Sequence, residues 1–430
     1  MYTKIFDEVV SILHEDYAGC IDKKGWDDPD FFRNKINQVA AQDTLNDEKF
    51  VEIVRDYLLD FKDLHMSFRN SMNSETTNAT YAGFKVRRHR DLLYVVSSEK
   101  ESRVKPGYVI SELDGKRVAE LVNVHKRQLM ETKAKRENWG AVLSEYKYAK
   151  VNDRSGNTFT LELAAYEKEP FVPEYSLHAL SESTLFMKLT DFTNHNEISR
   201  LIQENTGLLS DRKNLIIDVR VNKGGDDLAY FDLLPFLFDG EVIDLKRFDE
   251  GKMLTNCTYR NVELRKRMFH NLIASVDDNA TKSQVNAFMK QLDENKGKGF
   301  VELGSAGMDE SFLLKTRSGP DRVIILTDVY CGSSGDSFVE VCKNSGKVTV
   351  IGRPTLGLND YANLAVMEWE NKFELWYPTS KLSIVDEGKG MSGVGIQPDI
   401  YIPWNPGHID KDADLEKAFE LIDDKIGGRT

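Results

Sequence analysis

The chain has 430 residues, of which 40% are apolar and 30% charged, and carries a net charge of −13. That length exceeds one ordinary domain and supplies ample core, and the balance is that of a soluble globular protein. The acidic excess argues against a nucleic-acid groove and against an anionic membrane surface. The four cysteines, Cys20, Cys257, Cys331 and Cys342, form no CxxC and no Cys/His cluster, so neither a disulfide framework nor a zinc site is expected, and no metal or cofactor is called for. The start lacks a basic stretch followed by an apolar run, and no run reaches membrane-spanning length. The chain as given reads as cytoplasmic, and an exported form without its signal would read the same.

In chain order, residues 1–69 have helical periodicity. Ile5, Val9, Ile12 and Leu13 make one apolar stripe, and Phe50, Ile53, Val54, Leu58 and Leu59 make a second, with Trp26, Phe31 and Phe32 in the joint. The second stripe leads into Phe61-Lys62-Asp63-Leu64-His65. The polar stretch Asn70–Thr80 reads as a linker or exposed loop. Residues 81–165 switch to short strand-like runs (Gly83–Val86, Leu92–Val96, Tyr108–Ile110, Thr158–Leu163), with helical material over about Val118–Lys150.

Strands are expected at Thr184–Leu189 and Leu215–Arg220, with a helix between them carrying Ile198, Leu201 and Ile202. Residues 257–297 are charged and helical in pattern, an inserted helical pair. From 320 onward βα alternation returns and ends in an amphipathic helix near Leu415–Ile422. The expected domains are a helical region 1–75, a β-rich domain 80–168, and a core 176–430 with the helical insert at about 257–297.

Three loops could carry chemistry. Val323–Leu326 reads as a buried strand that breaks into Cys331-Gly332-Ser333-Ser334-Gly335-Asp336 and then a helical pattern. A strand, a glycine-flanked serine and a helix make an elbow that exposes a hydroxyl and aims helix N-terminal amides at it; read blandly, it is a tight turn with a serine cap. The second loop, Asp218-Val219-Arg220-Val221-Asn222-Lys223-Gly224-Gly225, places paired glycines after a buried strand. Their N–H groups could hold an oxyanion, or the loop could simply need positive φ. The third, Glu387 to Ile400, is glycine-rich and runs into a strand. Among eight histidines, His65 stands out by following Asp63 by two positions.

Taken in order, DVRVNKGG, LTDVYCGSSGD, IGRPTLG (Ile351–Gly357) and GVGIQPDI resemble peptidase family S41, the tail-specific or C-terminal-processing proteases and their tricorn-core relatives. The resemblance implies an α/β fold: a crotonase/ClpP-like core of ββα units, an N-terminal helical region and a divergent PDZ-like β domain. It implies a serine endopeptidase acting on peptides or unfolded protein tails without a metal. Aligning Asp336 with the family's acidic position makes Ser333 the nucleophile, with Ser334 in place of the usual alanine.

The Ser–Lys branch of the family is disfavoured because Leu358 stands where its lysine would be, unless Lys389 substitutes. Phe61–His65 resembles the histidine segment of the tricorn-like branch, which makes His65 the general base. Glu387 is the expected carboxylate behind it, with Asp386 and Ser392 as competitors. The oxyanion hole implied is the Ser334 N–H with Gly224 or Gly225. Gly83 and Phe84, together with Lys105-Pro106-Gly107, resemble a PDZ domain, implying capture of peptide ends there. The rival readings are a catalytically silent ligand- or peptide-binding protein on the same fold, and an esterase or amidase using the same triad. The sequence leaves the oligomeric state open, a homo-oligomer included.

Overall fold

The computed structural model describes residues 1–71, 80–131, 133–248, 251–275, 279–304 and 313–423. Most of the expected linker (72–79) and the joint of the helical insert (276–278) lie outside the described residues. The chain forms two compact units, each built from three segments: Met1–Thr76 with Phe238–Thr316 and Gly357–Ser392, and Thr77–Leu237 with Arg317–Leu356 and Gly393–Thr430. Among the described residues no helix is long and apolar enough to cross a membrane.

In the first unit, helices Tyr2–Glu15, Pro29–Ala41 and Asp47–Leu58 share one core with a five-stranded antiparallel sheet. The helices start where capping chemistry allows. Asp28 accepts the Phe31 N–H ahead of Pro29, and Asn46 accepts the Lys49 N–H. Ile5, Val9, Ile12 and Leu13 are all buried, as are Phe50, Ile53, Val54 and Leu58. Burying each such side chain stabilises the fold by about 1.5–3 kcal/mol. Trp26 and Phe31 are exposed and only Phe32 of that joint enters the core.

The sheet is built on a long hairpin, Tyr361–Trp369 and Phe373–Leu382, where βα alternation was expected. Three residues, 370–372, join the two strands, and Glu370 and Asn371 both have positive φ. The second hairpin strand also pairs with Ser67–Asn70 and with Met253–Asn256. The expected helical pair is present as Tyr259–Ser275 and Asn279–Asn295.

The second unit contains two six-stranded sheets. In one, Phe84–His89, Leu92–Ser98, Val109–Leu113, Tyr148–Asn152 and Thr158–Glu162 follow one another antiparallel around Trp139, Leu93 and Ile110. Among the described residues helix is confined to short pieces such as Val118–Val124, and the end of the expected helical stretch, Tyr148–Lys150, belongs to the strand Tyr148–Asn152. Its Ala149 and Val151 are buried while Tyr148 and Lys150 face out, a period of two that helix cannot satisfy.

The other sheet runs Tyr175–Ala179, Thr184–Leu189, Asn214–Asp218, Arg322–Thr327, Val348–Gly352 and Ile400–Tyr401. All pairs after the first are parallel. Every residue of Asn214–Asp218 is buried, as a strand covered on both faces requires. The closing helix Ala413–Asp423 buries Ala418 and Ile422 against Ile324 and Ile351.

Candidate active site

Strands Asn214–Asp218 and Arg322–Thr327 lie side by side and parallel, with Asp218 opposite Leu326. The loops that follow them therefore leave the same edge of the sheet, where open α/β sheets bind their ligands. The first loop is held from both ends. Asp218 takes the Arg220 guanidinium with Nε–Oδ1 2.9 Å and Nη2–Oδ2 2.7 Å, and Arg220 reaches Asp412 at 2.7 and 2.8 Å. Asn222 is fully buried: its Nδ2 donates to the Leu189 carbonyl at 3.0 Å, its Oδ1 accepts the Gly224 N–H at 2.9 Å, and its own carbonyl accepts the Gly332 N–H at 3.0 Å. One side chain thus stitches the glycine loop to the sheet, and its backbone ties that loop to the serine loop.

Gly224 has φ +76, and a Cβ placed on it would lie 2.5 Å from Ser333 Cβ and 2.8 Å from the Gly332 carbonyl. Only glycine permits this approach. Gly225 meets Phe192 just as closely, a Cβ there falling 2.3 Å from the Phe192 carbonyl carbon.

Ser333 is the N-cap of helix Ser334–Cys342 and has φ 58 and ψ −125. For a residue with a side chain this backbone costs about 1–3 kcal/mol and persists only when its surroundings enforce it. Here they do: the Ser333 N–H donates to Asp336 Oδ2 at 2.8 Å, and Asp336 is fully buried in the first helical turn. Ser334 differs from its neighbour. It is buried, and its hydroxyl donates to the Gly225 carbonyl at 2.8 Å. Its N–H belongs to the first helical residue, where the helix itself supplies no acceptor.

Behind the elbow, Asp328 bridges two buried guanidiniums. Arg87 binds it with two bonds of 2.8 and 2.7 Å, and Arg353 adds one of 2.8 Å and reaches Asp414 at 2.5 Å. Burial alone would raise the Asp328 pKa; the hydrogen bonds and charges of Arg87 and Arg353 overcome it and hold the carboxyl well below its ordinary range. Sequence reading missed this network, since no local pattern marks Arg87.

His65 lies in the first unit. Helix Asp47–Leu58 runs into a short turn, Leu59–Phe61, and stops at Lys62, which is left-handed at φ 47. Asp63 then accepts the His65 N–H at 2.9 Å and the Tyr17 hydroxyl at 2.7 Å, while Lys23 Nζ donates to that hydroxyl at 2.9 Å. Burial, reinforced by the Asp63 charge, pushes the Tyr17 pKa up. His65 Nδ1 is buried without a hydrogen-bond partner among the described residues and lies 3.9 Å from Asp63 Oδ1.

The carboxylates expected behind the histidine are engaged elsewhere in that unit. Glu387 is exposed and pairs with Lys389 at 2.8 Å, and Asp386 pairs with Lys381 at 2.6 Å. The Ser392 N–H donates to Asp360 Oδ2 at 2.7 Å, and the Met391 N–H to Oδ1 at 2.8 Å. Asp360 is itself buried and was not singled out from sequence.

Gly83 and Phe84 are built into their own domain. The Gly83 carbonyl accepts the N–H groups of Glu99, Lys100 and Glu101, a Cβ at Gly83 would strike the Tyr166 ring at 2.6 Å, and Phe84 is buried. Among the described residues no cluster of three or more His, Cys, Asp or Glu is arranged to hold a metal ion.

A parallel sheet that delivers a strained serine and a glycine loop to one edge is the framework of a serine hydrolase. The family model for Peptidase family S41 matches residues 183–402, just over half of the chain. The protein belongs to that family and is a serine-type peptidase. Among solved structures, mature CPAF superimposes with a TM-score of 0.64 at 14% identity, covering 98% of this chain and 96% of that one. The tricorn protease gives 0.45 at 14% identity, covering 99% of this chain and 36% of its own. A peptidase from Parabacteroides merdae gives 0.45 at 15%, covering 98% and 96%. At these identities the CPAF likeness establishes fold alone. No curated protein matches the chain by sequence.

Proposed function

We propose that the chain is a serine endopeptidase acting on peptides or unfolded protein tails, with Ser333 as nucleophile. The observation that carries this is the backbone of Ser333: positive φ, at a helix N-terminus, in contact range of Gly224. A strained conformation enforced by its surroundings at a helix start is how a hydroxyl is presented for acyl transfer. Ser334 is the poorer candidate because its hydroxyl is spent on Gly225.

His65 is the proposed general base, on the strength of the D-x-H segment shared with the tricorn-like branch. Serine is a weak nucleophile at neutral pH, so an imidazole must take its proton as the Oγ–carbonyl bond forms. It returns that proton to the amine as the C–N bond breaks. A carboxylate on the far ring nitrogen holds the tautomer and steadies the imidazolium. Asp63 suits that role better than Glu387, because it is buried, fixed by Tyr17 and next to Nδ1.

The oxyanion donors proposed are the Ser334 N–H and a glycine N–H. Gly224 would share its donor with Asn222 Oδ1, and Gly225 is the alternative. Residues 80–168 are proposed as a PDZ-like domain that buttresses the core, since Gly83 and Phe84 are occupied by the fold itself. The test is turnover of an unstructured protein substrate by Ser333→Ala and His65→Ala. Each variant should be inactive yet folded, and full cleavage by either would reject the assignment.

A further inference from the structure

In the unit that carries Ser333, a cleft of about 490 Å³ opens at the tip of the hairpin Phe84–His89 and Leu92–Ser98. Its walls come from that tip, from residues 133–135 and from the stretch after Ile400. Among the described residues ten line it, of which four are Arg or Lys and none is acidic, in a chain of net charge −13.

The four cations are not equally available. Arg88 is neutralised by Glu137 through bonds of 2.5 and 2.6 Å. Lys135 has a neutral partner, the Tyr401 hydroxyl, and stands 4.1 Å over that ring. Arg90 and Lys133 are exposed and have no carboxylate partner among the described residues. Three positive charges therefore face the cleft uncompensated by acid.

The walls are anchored. Arg87 Nε holds the Lys135 carbonyl at 3.2 Å while its guanidinium is fixed by Asp328 and lies 5.1 Å over Trp404. Arg136 ties the same segment to the Thr355 carbonyl at 2.7 Å. The Trp404 ring, in turn, meets His89 edge-on at 6.1 Å.

We propose that this cleft is an exosite for an acidic segment of the peptide substrate, a reading that rests on the peptidase function above. Its volume falls in the range of about 300–1,000 Å³ that holds ligands of several residues or of drug size. Separate cations on different walls suit several carboxylates along a chain better than one compact anion. Tyr401, about half exposed, offers apolar surface for the side chains between those carboxylates.

The test uses full-length Ser333→Ala protein, so that peptide is held and not cut. A fluorescein-labelled peptide alternating Glu with Leu is titrated beside its Gln counterpart, with anisotropy as the readout. The Glu peptide should bind at least about tenfold tighter at low salt, a difference near 1.4 kcal/mol, and should lose that advantage as salt screens the charges. R90A/K133A, which leaves Lys135 alone of the three, should weaken the preference severalfold and leave the Gln peptide unaffected, and R90E/K133E should favour a Lys counterpart. Both side chains are exposed, so the fold does not depend on them.

Equal affinity for the Glu and Gln peptides, or a preference undiminished in R90A/K133A, would overturn the proposal. So would binding of inorganic phosphate without any preference between the peptides. Fluorophosphonate labelling of Ser333 in the unaltered chain separates the two readings: intact labelling without peptide preference rejects the exosite alone, and peptide preference without labelling supports acidic-peptide binding at the cleft while rejecting the hydrolase and, with it, the role of exosite.

Discussion

Asp63 Oδ1 lies 3.9 Å from His65 Nδ1, and that buried nitrogen has no hydrogen-bond partner among the described residues. The gap is too long for a hydrogen bond but is of the kind that tightens when a catalytic site is occupied. Asp63 is held in place by the Tyr17 hydroxyl and by the His65 N–H. Asp63→Asn removes the negative charge beside Nδ1, and its single amide oxygen cannot accept from both Tyr17 and the His65 N–H. A fall in kcat on the order of 10³-fold is expected. Glu387→Gln, at an exposed residue paired with Lys389, should change kcat less than about threefold. Steady-state kinetics of the two variants decides between them, and the reverse ranking would assign the role to Glu387.

The two adjacent serines should separate cleanly. Ser333→Ala should reduce turnover to background. Ser334→Ala loses only a hydroxyl bonded to the Gly225 carbonyl, and should retain measurable activity with some loss of stability. The double variant Ser333→Ala/His65→Ala should be scarcely worse than either single one, because nucleophile and base act as a unit. Additive losses would indicate that they work independently.

Gly224→Ala combines two penalties. The new methyl group would enter a positive-φ position and fall 2.5 Å from Ser333 Cβ. Strain of this kind costs about 1–3 kcal/mol, and pushing the elbow away from its donors should cost activity about 100-fold or more. Thermal unfolding and kcat measured together check both. Gly115, also at positive φ but with nothing within 4 Å, is the control: Gly115→Ala should carry strain without loss of kcat.

The Asp328 network predicts a pH dependence with a definite sign. Its carboxyl titrates below its ordinary range when folded, so the unfolded chain binds the proton more readily. The stabilisation is full above the unfolded value of about 3.9 and is lost as pH falls through the depressed folded value. Asp328→Asn should flatten that acid limb in a plot of Tm against pH. At neutral pH it should destabilise by about 3–5 kcal/mol, because Arg87 and Arg353 would be left buried without their shared anion.

The legible parts of this protein are those with local causes. Val323–Leu326 and Leu215–Ile217 announced buried strands by β-branched apolar runs, and both lie adjacent in the parallel sheet. Ser333 and the glycines after Asn222 were visible because elbows and tight turns restrict residue choice. Tyr148–Lys150 reads as the end of a helical stretch because only three residues of the strand fall in it, too few for the alternation of exposed Tyr148 and Lys150 with buried Ala149 to show. The hairpin Tyr361–Leu382 was misread because its partners, Ser67–Asn70 and Met253–Asn256, lie more than a hundred residues away in sequence. Asp360, and the place of Arg87 beside Asp328, depend wholly on such long-range pairing. Asp63 was in view, but its bond to the His65 N–H appears only once the turn at Lys62 is formed.

The central claim is that Ser333 is a nucleophile activated by His65. The direct measurement is fluorophosphonate labelling of the full chain, followed by peptide mapping of the adduct. A single adduct on Ser333 is expected, and none on folded His65→Ala protein over the same interval. An adduct on Ser334, or labelling of His65→Ala at the unaltered rate, would contradict the claim.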